Sequence, residues 1–234
     1  AYLYLMYDGG GISFNFSRMP SGGWALRSVQ GKGIFQVNST FGIVDVDSEP
    51  LRCLPGRLPD YNLATADPNT FPWTLDEALA MVDTAGYAMV RSDVQADRLH
   101  LRASPSKSAA SLGRYYSGTP VQVHAIEGEW AKVDVCGAEG YMMTAFLAFG
   151  QDMLNVHRYF PTLHMKEDVE EEINVYLRPE KVDDLYVETL NGDQTISPGR
   201  VYILANVGDD WLHIATSKDV TGYVEAKYFW PGNG

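Results

Sequence analysis

Cysteine, histidine and converging carboxylates are the side chains most able to make or break bonds, and this 234-residue chain scatters all three. A cysteine nucleophile needs a histidine base beside it. Cys53 lies in "PLRCLPG", and the first histidine is His100, so such a pair would have to meet across domains. His100, His124, His157, His164 and His213 do not show the His-x-x-x-His spacing that places two metal ligands on one helix face. The "GGG" at 9–11 lacks the Lys-Ser/Thr and helix of a phosphate cradle and reads as a hairpin. "DVDSE" at 45–49 lacks the glycine and the twelfth-position carboxylate of a calcium loop. In "KEDVEEE" at 166–172 the carboxylates run in series, which suits a solvated linker, whereas ligating carboxylates converge from turns. The reading is a non-enzyme with no cofactor and no metal. Paired-carboxylate hydrolysis stays an alternative, because sequence does not measure distances among 30 acidic residues.

Aromatic rings offer a different chemistry, recognition by flat apolar faces. Trp130 has Tyr115, Tyr116 and Tyr141 near it in sequence, and Trp211 has Tyr202, Tyr223 and Tyr228. These eight are the candidate ligand-binding residues: a floor of rings can cover a sugar face or a short peptide, each contact adding about 0.5–1.5 kcal/mol beyond area burial. The plainer alternative has the tryptophans covering a barrel end or an inter-domain contact. Leu101, Val121, Val123, Val133 and Val135 alternate as an inward face does, and Trp130 has the opposite parity from Val133, so an ideal strand turns the indole away from that face.

The tryptophans sit in an internal repeat. Gly118 precedes Trp130 by 12 positions, and Gly199 precedes Trp211 by 12. Val133 and Ile214 follow three places on, Gly140-Tyr141 and Gly222-Tyr223 close each copy, and Phe146-Leu147 and Tyr228-Phe229 lie just beyond. At the openings, Leu99-His100-Leu101-Arg102 is set against Val175-Tyr176-Leu177-Arg178, with Pro105 and Pro179 after them. Several independent spacings coincide, the mark of a repeated structural unit.

This ordered set resembles the bacterial SH3 (SH3b) family: an apolar-Asn-apolar-Arg opening, a glycine before a Val-x-Val strand, a Gly-x-Trp strand and a Gly-Tyr-Val close. The resemblance covers 91–149 and 168–231 and implies two small SH3-like β-barrels that recognise peptidoglycan or peptide. His100 and Tyr176 stand where the opening Asn is expected. The second copy inserts "DLYVETLNGDQTIS" between its proline and its glycine, and its Val201 and Ile203 lie one step earlier than Val121 and Val123, implying a bulge or a shifted turn.

The elements that hold these residues are mainly β. Residues 1–88 read as an N-terminal β-rich domain: "AYLYLMYD", "ISFNFSR", "WALRSVQ", "GIFQVNS" and "FGIVDVD" as strands of a meander. Pro50, Pro55, Pro59, Pro68 and Pro72 then break regular structure. "TLDEALAMVDTAGY" follows as a helix, with Thr74 as N-cap, Glu77 closing a capping box and Gly86 ending it in a left-handed conformation. The first barrel spans 91–149, a connector 150–167 is helical or extended, and the second barrel spans 168–231.

A net charge of -12 repels nucleic acid, anionic lipid and teichoic-acid-like polymers, and favours neutral glycan or amine-bearing stem peptide as partner. No apolar run suits membrane insertion. Cys53 and Cys136 are too few for a disulfide framework; two ordinary thiols are expected, with a bridge between them as the alternative. The first residue is not methionine and no leader pattern follows, which fits an exported, cell-envelope-associated protein. The expected function is a non-enzymatic exported binding protein whose tandem modules recognise peptidoglycan glycan, stem peptide or a protein partner. The alternatives are an interaction or sensory module with its functional surface on residues 1–88, and an accessory part of a cell-wall hydrolase.

Overall fold

In the computed structural model, residues 2–7, 10–18, 24–30, 55–56, 75–94, 97–161, 163–166, 168–169, 172–182, 186–190, 201–216 and 221–230 are described. The chain is mainly β and divides into two compact units, residues 1–85 and 86–234.

In the first unit, β1 (Tyr2–Tyr7), β2 (Gly10–Arg18) and β3 (Trp24–Gln30) form an antiparallel sheet in that order. The further strands expected at 34–47, the proline-rich span, Cys53 and the Thr74 cap fall outside the described residues, Pro55 and Gly56 excepted. Helix α1 is shorter than its pattern suggests, Leu75–Ala80, and the Val82-Asp83-Thr84 sequence explains why. Two β-branched residues flank an aspartate, all weak helix formers. The Asp83 carboxylate instead accepts a hydrogen bond from the Ala85 N–H (2.9 Å), an Asx turn. Leu79 and Val82 are buried, and at Gly56 a side chain would collide with Val82 and the Asp83 carbonyl.

Gly86 does take a left-handed φ of 78°, but it turns the chain into β4 (Tyr87–Val90) rather than capping the helix. The remaining strands of the first lobe of the second unit are β5 (Arg98–Arg102), β6 (Ser111–Tyr116), β7 (Pro120–Glu127), β8 (Trp130–Val135), β9 (Ala138–Met143) and β10 (Leu147–Phe149). A second lobe contributes β11 (Ile173–Tyr176), β12 (Tyr186–Leu190), β13 (Val201–Val207), β14 (Trp211–Thr216) and β15 (Thr221–Glu225).

The lobes share a pairing scheme. β5 pairs β6 and β9, and β8 pairs β7 and β9; likewise β11 pairs β12 and β15, and β14 pairs β13 and β15, all antiparallel. A 3₁₀ turn follows each closing strand, Thr144–Phe146 and Ala226–Tyr228. The register corrects the sequence alignment of the openings. Arg102 faces Tyr141 and Tyr176 faces Tyr223, so Leu101 answers to Val175, and Arg102 to Tyr176. Bulges at Leu101/Arg102 and Val175/Tyr176 agree. Asn174, rather than Tyr176, therefore stands where His100 does, and Leu177, 62% exposed, cannot be the inward residue.

In the second lobe the stretch expected as an insertion contains β12, which pairs β11 as β6 pairs β5. Both lobes carry a bulge in the Trp-bearing hairpin, Val123/Ala125 and Ile203/Ala205. The one-step offset comes from the turn: Glu127 faces Trp130 across two residues, whereas Val207 faces Trp211 across three. Of the expected inward residues, Leu101, Val121, Val133 and Val135 are buried, while the bulge leaves Val123 half-buried.

Among the described residues one 12-stranded sheet runs through both lobes, because β6 also pairs β13, Tyr115 facing Ala205 and Arg114 facing Asn206. The connector is both things at once: a 3₁₀ stretch, Gly150–Asn155, then extended chain stitched to each lobe. The Tyr159 N–H donates to the Ser117 carbonyl, the Leu163 N–H to Val201, and the Ile203 N–H to Pro161. The second lobe's core takes Tyr116 from β6 and Leu163 from the connector alongside Ile173, Val175, Ile203, Ile214 and Val224.

Candidate functional site

The eight candidate aromatics separate by burial. Tyr115, Tyr116, Tyr202 and Tyr223 lie inside, none more than 7% exposed, so their faces are spent on packing. The Tyr115 hydroxyl is 3.0 Å from His213 Nδ1, with the rings edge to face, and His213 stacks on Tyr223 at 4.3 Å. This cluster lies where the lobes join. Burial holds the His213 imidazole neutral, its pKa lowered to about 3, and pushes Tyr223 up to about 12. Burial also raises Tyr115 and the free thiol of Cys136 well above their ordinary values.

Trp130, Tyr141, Trp211 and Tyr228 are half-buried. Trp130 sits on the outer face of β8, as its parity predicts: Ala131, Val133 and Val135 point in, while Trp130, Lys132 and Asp134 do not. Across β9 it faces Met143, and Tyr141 stands beside Lys132 and Arg102 in register. Trp211 is met edge-on by Tyr176 at 5.8 Å, and the Lys227 ammonium lies 4.5 Å over the Tyr228 ring.

Trp130 forms one wall of a cleft of about 650 Å³ in the first lobe. Val94, Met143 and Phe146 are among its other apolar lining residues, and Val94 and Phe146 are 53% and 48% exposed, so apolar surface stands uncovered there. The polar lining comes from residues 91–93 and 97, strand β5 and Lys107: Arg91, Ser92, Asp93 and Asp97, then Arg98, His100 and Arg102. Alternation along β5 turns Arg98, His100 and Arg102 to one side.

Neutral acceptors hold these cations. Arg98 Nη1 donates to Asn206 Oδ1 (2.6 Å) with its guanidinium 4.6 Å from the Tyr116 ring centroid. Arg102 Nη1 donates to the Ala109 carbonyl at 2.7 Å, and Arg91 Nη2 to that of Ala145 at 3.5 Å. His100 Nδ1 lies 2.8 Å from Ser111 Oγ. Its pKa is lowered by burial first, then by Arg102 and Arg114. Among the described residues no group of histidine, cysteine and carboxylates converges to hold a metal ion.

Sequence reasoning found Trp130 but missed the charged residues around it. The available signal was the every-second-residue placement of Arg98, His100 and Arg102 beside a loop carrying Asp93 and Asp97.

The family model for the Bacterial SH3 domain matches residues 97–148, which hold most of this cleft. That family is a binding domain, and its members are typically related to the cell envelope. The comparison gives one such match, on the first lobe. No curated protein matches the chain. Similar solved structures include NlpC2 and NlpC1 from Trichomonas vaginalis, each at 13% identity and a TM-score of 0.29, covering 62% of this chain. The chain covers 48% and 45% of their respective lengths. Among the described residues no helix is long and apolar enough to cross a membrane.

Proposed function

We propose that this chain is a non-enzymatic, exported binding protein of the bacterial cell envelope, which recognises peptidoglycan through the cleft beneath Trp130. The observation that carries this reading is uncovered apolar surface at Phe146 and Val94 beside the half-buried Trp130, rimmed by charges of both signs, in a cleft whose lining falls mostly within the stretch that matches the Bacterial SH3 domain. Ligand sites characteristically combine an apolar recess with a few placed polar groups. The second lobe repeats the strand pairing of the first and is read as a second, diverged copy of the same module.

The test is retention on purified peptidoglycan. The chain is expected to sediment with it, and Trp130→Ala, checked for an unchanged melting temperature, to lose at least about tenfold in affinity, the loss typical of a buried aromatic anchor. Trp211→Ala, whose indole lies outside the cleft, is expected to keep its affinity. No retention of the intact chain, or unchanged retention of Trp130→Ala, defeats the proposal.

A further inference from the structure

We infer that the cleft reads its ligand through free carboxylates, so that within peptidoglycan it takes the carboxylate-bearing stem peptide and not the neutral glycan strand. This rests on the peptidoglycan reading above and deepens it. The observation is an excess of unneutralised positive charge where the rest of the chain is acidic. Arg91, Arg98, Arg102 and Lys107 line the cleft against Asp93 and Asp97, while the whole chain carries -12. Among the described residues none of these four cations is in an ion pair; the pairs formed are Arg178–Glu180, Lys181–Glu225 and Lys227–Glu225.

The three arginines are oriented by a side-chain amide and two backbone carbonyls, acceptors that fix a guanidinium without cancelling its charge. Each spends one N–H on that contact and keeps others for a ligand. A pre-oriented guanidinium loses little freedom on binding and presents a fork matching a carboxylate. A neutral sugar chain would leave these charges uncompensated against it.

Placement adds a second constraint. Alternate residues of a strand lie about 6.6 Å apart, so Arg98, His100 and Arg102 form a rail that suits an extended peptide with more than one carboxylate. Trp130 and Phe146 accept a small apolar side chain beside it, and Asp93 and Asp97 an amine. The field of the whole chain sets the size limit. Isolated carboxylates can be captured locally, whereas a long polyanion brings charge that the chain's net -12 repels.

The experiment titrates the full chain with soluble muropeptides and with the same muropeptides after carbodiimide amidation of their carboxylates. Native muropeptides are expected to bind, to bind more weakly as salt rises, and to lose roughly tenfold or more on amidation. Arg91→Gln with Lys107→Gln changes two exposed side chains, so the fold is preserved. It is expected to weaken native muropeptides roughly three- to tenfold and leave the amidated form unchanged. Arg102→Gln, with its melting temperature checked, provides a second variant with the same expectation. Equal binding of native and amidated forms overturns the carboxylate assignment and leaves peptidoglycan recognition standing. Failure of the intact chain to bind either form overturns both.

Discussion

His213 is a neutral imidazole sealed between two tyrosines, and that single residue gives the fold an acid limit. Its neighbours Tyr115 and Tyr223 are held in their neutral forms by burial, so no anion waits to balance a proton on the ring. The Asp134 charge also raises both tyrosines, as the smallest of the causes acting on them. A folded-state pKa near 3, against an ordinary 6.5, means the imidazole contributes its full stability above 6.5. That contribution is lost as pH falls toward 3, at up to about 1.4 kcal/mol per unit. Urea midpoints should therefore fall between neutral pH and about pH 4.5. His213→Phe should flatten that slope while costing about 0.5–1.5 kcal/mol at neutral pH through the Tyr115 hydrogen bond it removes. An identical slope in the variant would show that other groups set the acid limit. Sequence marked Tyr115 and Tyr223 as rings that matter, but burial depends on partners about a hundred residues away, which no local spacing records.

At the level of elements, the Gly-Tyr pair closing each lobe is a packing requirement. A Cβ on Gly140 would stand 2.7 Å from the Arg102 carbonyl and 2.9 Å from the Leu101 side chain. One on Gly222 would stand 2.6 Å from the Tyr176 carbonyl and from Val175. The closing strand can cross the opening strand only where no side chain intervenes. Gly140→Ala and Gly222→Ala are each expected to cost about 2–3 kcal/mol, read from thermal melts, because backbone must shift at both places. A loss below about 0.5 kcal/mol at either site would mean the crossing is slack. This pair, the tryptophan hairpins and the inward valines were legible in sequence because they are local alternations and turns. The opening strands were misaligned by two residues because Leu177-Arg178 imitates Leu101-Arg102. The true register was present in the prolines, since Pro105 and Pro179 each lie three places beyond Arg102 and Tyr176. The β6–β13 pairing had no sequence signal, and with it the placing of Arg98 beside Asn206 was hidden.

Across the whole second unit, two lobes of similar pairing do not amount to two similar sites. Glu225 stands opposite Trp211 where Met143 stands opposite Trp130, and Tyr176 replaces Arg102. Glu225 binds Lys227 at 2.9 Å and Lys181 at 3.6 Å, so the cations there are already compensated, and Tyr176 covers an edge of the Trp211 region. On the proposed reading the gain from linking two equal modules, an effective-concentration effect, is therefore not expected. Calorimetry with soluble muropeptides should give one site per chain, and a stoichiometry of two would restore the tandem-display reading. What the second lobe supplies is support: it accepts Tyr116 into its core and holds Arg98 through Asn206. The lobes should open together. In native-state hydrogen exchange, Tyr116→Ala, made in a first-lobe strand, is expected to lower the protection of β7–β8 and β13–β14 amides by the same free energy. Loss confined to one lobe would show that the shared sheet joins two independent folding units, and that the cleft does not depend on its neighbour.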